Sequence, residues 1–250
     1  MTPEPNSTPE SLEQTKMSLL EHLAELRVRL IYALAAVLIG TVICWTWADE
    51  LFRFLLMPLH TAAPNAELAQ IHHKDLAEPF FALLKTAIMG GIFISLPVIL
   101  YQVWAFVAPG LYDRERKMAI PFVFFATLCF VGGAAFCFFL VLPAGYGFLL
   151  EFGASISEAQ LMVQEYYALT IKLLLVFGLT FELPVVAVFL SALGVIDHRT
   201  LARYWRVAVV GAFVAGAFLT PADPMTQCLL AVPLVLLYGV SIGMAWVVSR

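Results

Sequence analysis

Uncharged apolar stretches long enough to cross a lipid bilayer recur along this chain, at 30–48, 86–112, 118–150, 173–196, 207–222 and 224–249, and Glu182 is the one charged residue inside any of them. A helix crosses about 30 Å of hydrocarbon with roughly 20 residues, whereas a barrel strand needs only about 10. Runs of this length therefore predict an all-α, polytopic integral membrane fold with six transmembrane helices, of which the fifth and sixth are read as short. Composition agrees: hydrophobic residues make up 62% of the chain and charged ones 13%, about half the share usual in soluble domains.

Lys and Arg set the orientation. Lys16, Arg27 and Arg29 precede the first run, Arg114, Arg116 and Lys117 separate the second from the third, and Arg199, Arg203 and Arg206 separate the fourth from the fifth, with Arg250 after the sixth. The opposite side carries only Arg53, Lys74, Lys85 and Lys172. Excess positive charge marks the cytoplasmic side, which puts both termini in the cytoplasm and agrees with an even number of spans. Residues 1–16, rich in Pro, Ser, Thr and Glu, are expected to form a flexible cytoplasmic tail ahead of one six-helix domain at 17–250. They lack the basic start of a cleavable signal peptide or transit segment, so the bacterial cytoplasmic (inner) membrane is the expected location.

Chemistry is sparse in the spans. No GxxxxGK[ST] phosphate loop or GxSxG elbow is present, and no nucleophile–base pair stands out, so an enzyme is not expected and no cofactor is implied. His60, His72 and His73 share an external loop (49–80), but without HExxH or paired-Cys spacing they predict no metal site. Cys44, Cys129, Cys137 and Cys228 all fall in apolar runs and read as small buried hydrophobes. The long connection at 143–170, marked by Gly145, Gly147 and Gly153, is expected outside the membrane, with room for a short helix resting on the bundle. A net charge of −4 gives no reason to expect a nucleic-acid partner.

Three acids stand out. Glu25 lies in MSLLEHLAELRVRL (17–30), where Leu19, Leu23, Leu26 and Leu30 make an apolar stripe and Ser18 with Glu21 a capping box. His22, Glu25 and Arg29 share another face, with Glu25 and Arg29 spaced for an i,i+4 ion pair. Glu115 sits among Arg114, Arg116 and Lys117 in a loop bracketed by Pro109 and Pro121. From spacing alone, both acids are satisfied by their neighbours as readily as they form a cytoplasmic acidic site. Glu182, in LTFELPVV, costs about 2.5–3.5 kcal/mol if charged at mid-helix, so it is expected to be protonated or to face a polar partner. The other polar groups of note at membrane depth are Thr127, Thr180, Ser191, Thr226 and Gln227, less polar machinery than a proton- or cation-coupled transporter with Glu182 as its ion site would need.

Taken together, HLAELRVRL, PFFALLK, SLPVILYQVWAFVAPGLYDRERK, FELPV and FLTPADPMTQ resemble the TatC family of the twin-arginine protein translocase, in order and spacing, from about residue 17 to the end. The resemblance implies a core receptor subunit that binds the twin-arginine signal peptides of folded cargo at its cytoplasmic face. It also implies TatA- and TatB-like single-span partners, self-association within a larger complex, and export driven by the proton-motive force. Matching motif positions assign signal-peptide binding to Glu25 and Glu115, with Arg27 organising the acids and Phe106 meeting the signal's apolar residue. Pro58 and Asp223 are supporting positions. Glu182 becomes a docking point for a partner helix, with Gln227 as its candidate neighbour. The external turn TPADP departs from the family pattern, with Ala222 where a second proline is usual and an additional Pro224.

Overall fold

The computed structural model describes residues 9–62, 71–72, 75–107, 119–154, 161–192, 194–219 and 224–248, with side chains from Glu21 onward except at 71–72, 107, 119, 153–154 and 161. Helix α1 (Pro9–Trp45) starts with a proline in its first turn, where a missing N–H costs nothing. It takes in residues 9–16, which the sequence reading assigns to the tail. Backbone turns at Thr46 and Trp47 separate it from α2 (Ala48–Ala62), whose first turn carries Asp49 and Glu50, acids that suit a helix N-terminus. There follow α3 (Glu78–Val107), α4 (Ala119–Phe136), a π-helical turn (Cys137–Val141), α5 (Leu142–Ala154), α6 (Val163–Ala192), α7 (His198–Arg203), α8 (Trp205–Leu219) and α9 (Pro224–Val248). Two-residue strands β1 (Ile71–His72) and β2 (Leu161–Met162) pair in parallel between α2 and α3 and between α5 and α6.

Five helical segments are long and apolar enough to span a bilayer, and α8 is a shorter apolar helix, so six spans are present. Only the fifth is short. Its 15 residues cover about 22 Å, whereas the 25 residues of α9 cover about 37 Å. Pro233 does not end that helix early, because a membrane helix tolerates an interior proline. The glycine-marked connection at 143–170 is likewise mostly helical: α4, the π turn and α5 form one 33-residue apolar helix, Ile120–Phe152, and α6 begins at Val163. Without water to compete for backbone groups, glycine breaks a helix less readily in a membrane than its soluble preference suggests.

Glycines set the closest helix contacts. A Cβ on Gly40 of α1 would lie 2.7 Å from the Gly91 carbonyl oxygen of α3, and one on Gly133 of α4 would lie 2.6 Å from the Phe181 ring of α6. Gly178 gives the matching recess for Phe130. Such approaches let helices associate through van der Waals contact where no hydrophobic force drives them together. The main core gathers Leu55 and Leu59 of α2, Phe138 and Tyr146, and Tyr166, Tyr167 and Phe177 of α6. There Tyr166 Oη donates to the Leu55 carbonyl (2.6 Å), Tyr167 Oη donates to the Phe52 carbonyl (2.7 Å), and the Tyr146 and Thr170 hydroxyls bond to each other (2.7 Å). The first two bonds fasten α2, expected from the sequence to be part of a loop, to α6 across the external end of the bundle, and the third ties α5 to α6.

Candidate functional site

At the cytoplasmic end, the antiparallel α1 and α3 bring Glu25 and Arg29 of one helix beside Tyr101, Gln102 and Phe106 of the other. An open groove between them is lined by Ala24, Glu25, Val28, Arg29, Tyr32, Tyr101 and Gln102. The i,i+4 spacing of Glu25 and Arg29 is realised as an ion pair. Arg29 Nε donates to Glu25 Oε1 at 2.9 Å, Nη2 donates to the same oxygen, and Nη1 makes a long contact of 3.5 Å with Gln102 Oε1. The other carboxylate oxygen, Oε2, faces His22 Nδ1 at 3.8 Å, beyond hydrogen-bond range. His22 itself stacks on Phe106, with ring centroids 4.2 Å apart and planes 18° apart. A continuous surface thus joins acid, imidazole and phenyl ring.

Arg27, assigned the organising role by resemblance, is exposed. Among the described residues Arg29 is the arginine that holds Glu25. Glu115 and Asp223 lie outside the described residues. Pro58 is fully buried inside α2.

Glu182 is 7% exposed in the middle of α6, and its Oε1 has no hydrogen-bond partner. The Thr127 and Thr180 hydroxyls donate to the Val123 and Val176 carbonyls of their own helices. The structure does not bring Gln227 to Glu182. Gln227 Nε2 donates to the Phe213 carbonyl of α8 at 2.9 Å and packs on Gly216. It sits in the first turn of α9, at the external end. Near that level Lys172 Nζ donates to the Phe218 carbonyl at 2.8 Å, and Glu182 is about 15 Å further along α6. Equivalent-looking polar residues on neighbouring helices gave no signal of depth in the sequence.

Several residues that shape the bundle carry only weak signals in the sequence. Glu78, 7% exposed, accepts a hydrogen bond from the Gln164 backbone N–H (3.0 Å) in the first turn of α6, where a carboxylate suits the helix dipole. Its signal was present as an acid opening the apolar run that becomes α3. Lys172 had a similar one: a cation beside the last carbonyls of a helix is favourable, but its target lies on a different helix. Gln102 and Tyr101, within VILYQVWAF, read only as part of a motif.

The family model described as Sec-independent protein translocase protein (TatC) matches residues 21–233. The Magnetococcus marinus protein of that description is 39% identical over 92% of this chain and 84% of its own length. That of Aquifex aeolicus is 40% identical over 94% of this chain and 97% of its own. A crystal structure described as the twin arginine translocase receptor TatC superposes with a TM-score of 0.82 at 39% identity, covering 92% of this chain and all of that one. Six spans, the short fifth helix and the acid-bearing cytoplasmic groove thus occur in a chain that belongs to the TatC family of Sec-independent protein translocase proteins.

Proposed function

We propose that this chain is the cargo receptor and core subunit of a twin-arginine translocase in a bacterial cytoplasmic membrane, where it acts without catalysis of its own. The observation that carries this reading is Glu25, a part-exposed carboxylate at the cytoplasmic start of the first span with one oxygen open beside the His22–Phe106 stack. A guanidinium is planar, permanently charged and suited to carboxylates, and each charge-assisted hydrogen bond contributes on the order of 1.5–3 kcal/mol. Glu25 takes one signal arginine and Glu115 the other, which is why a pair is required, while Phe106 meets the apolar residue that follows.

TatA- and TatB-like single-span proteins assemble around this subunit, using the unpartnered Oε1 of Glu182 as a hydrogen-bonding socket. The proton-motive force drives export. A coupled transporter finds little support, since the Thr127 and Thr180 hydroxyls each donate to a carbonyl of their own helix.

The test is direct. A labelled twin-arginine signal peptide is titrated against the purified chain in lipid nanodiscs, alongside the same peptide carrying two lysines. The arginine peptide is expected to bind at least tenfold more tightly, and Glu25→Ala and Glu115→Ala each to abolish its crosslinking. Equal binding of both peptides, or normal crosslinking in both variants, overturns the receptor reading.

A further inference from the structure

Resting on the reading of Glu25 as a receptor acid, we propose that Arg29 is a resident counter-ion that sets the selectivity of the site. It already holds the carboxylate in the way an incoming guanidinium would, so weaker cations compete poorly.

Two of the three Arg29 nitrogens converge on Glu25 Oε1 and the third points to Gln102. Its side chain is 25% exposed and that of Glu25 31%, so the pair is neither a free surface contact nor sealed from the cytoplasm. Its level is fixed by the glycine seam further along the same two helices. A ligand therefore meets a carboxylate with one oxygen committed and Oε2 left facing His22.

That arrangement treats the two basic side chains differently. A lysine ammonium is a compact, strongly hydrated charge, which must shed water to settle against an acid already half neutralised. An arginine is more weakly hydrated, can approach Oε2 edge-on, and can stack on the aromatic rings that border the groove, Tyr32 and Tyr101. Arg29 thus lowers the affinity of the site for any cation, and lowers it most for lysine. Gln102 is a positioning residue, holding the far end of the guanidinium so that both remaining nitrogens stay on one oxygen.

The experiment measures arginine-pair and lysine-pair signal peptides against Arg29→Gln, Arg29→Lys and Gln102→Ala proteins in nanodiscs. Arg29→Gln is expected to tighten lysine-pair binding about two- to fivefold and arginine-pair binding by a smaller factor, so that the preference for arginine narrows, on the scale of one partly exposed ion pair. Gln102→Ala and Arg29→Lys move the ratio in the same direction by less, and they carry the test if Arg29→Gln does not fold. An unchanged arginine-to-lysine ratio in the folded variants, or equal weakening of both peptides, overturns the proposal. A wild-type protein that does not distinguish the two peptides overturns the receptor reading instead.

Discussion

Gly40 and Gly91 meet across the α1–α3 seam so closely that a Cβ on Gly91 would fall 2.5 Å from the Thr41 backbone nitrogen and one on Gly40 2.7 Å from the Gly91 carbonyl oxygen. Backbone cannot swing aside as a side chain can. Because α1 packs mainly on α3, this seam determines where Glu25 stands relative to Gln102 and Phe106. Gly91→Val should cost on the order of 1–3 kcal/mol through overpacking and weaken signal-peptide binding as well. Gly132→Ala, at a position with nothing within 4 Å, is the matched control. Thermal unfolding in detergent and peptide titration check both outcomes, and equal stability of the two variants would argue against the seam.

The tyrosine bonds that hold α2 predict a graded loss. Tyr166→Phe and Tyr167→Phe keep the ring and remove a hydroxyl donor from the Leu55 and Phe52 carbonyls. Each should lower stability by about 0.5–1.5 kcal/mol. The double variant should also loosen α2, seen as faster labelling of a cysteine introduced at Leu59, which is fully buried. Unchanged labelling would mean that packing alone secures the helix.

Glu182 separates a docking role from a recognition role. Glu182→Gln keeps a polar group at the unpartnered position and should retain co-purification of the single-span partners at roughly half the wild-type level or better. Glu182→Leu satisfies the apolar surroundings but leaves no hydrogen-bonding group, and should reduce partner recovery at least fivefold. Signal-peptide affinity should stay the same in both, since Glu25 lies at the cytoplasmic end of a different helix. A loss of peptide affinity in either would move Glu182 into the receptor site.

Length is the testable property of α8. Adding four leucines within Trp205–Leu219 brings the helix to about 28 Å, close to the usual hydrocarbon thickness. If local thinning of the bilayer serves transport, export of a folded reporter should drop several-fold while the protein still inserts. Full transport by the lengthened variant would sink that role.

How much of this was legible beforehand follows from what periodicity and charge can report. The six spans and their orientation came through because hydrocarbon imposes a length and the cytoplasm a charge bias, neither of which depends on neighbours. The Glu25–Arg29 pair came through because both residues sit on one helix, where spacing is geometry. Contacts between helices did not. Nothing in the sequence places Gln227 near Phe213 rather than Glu182, since depth along separate helices depends on where each one starts and on its tilt. Glycine misled in the other direction: Gly145, Gly147 and Gly153 read as loop signals, yet α5 runs through them. The helix α2 was missed because its 15 residues are too few to suggest a span, although Leu51, Leu55 and Leu59 recur every fourth position.

The brevity of the fifth helix also bears on electricity. The voltage across a membrane is the same everywhere, but its gradient depends on the thickness over which it falls. Where lipid follows α8 down to about 22 Å instead of about 30 Å, the field is steeper by roughly a third. A charge moving partway through the bilayer there gains more energy per ångström than beside the longer helices, so the stretch of membrane next to α8 is where an energised membrane pulls hardest.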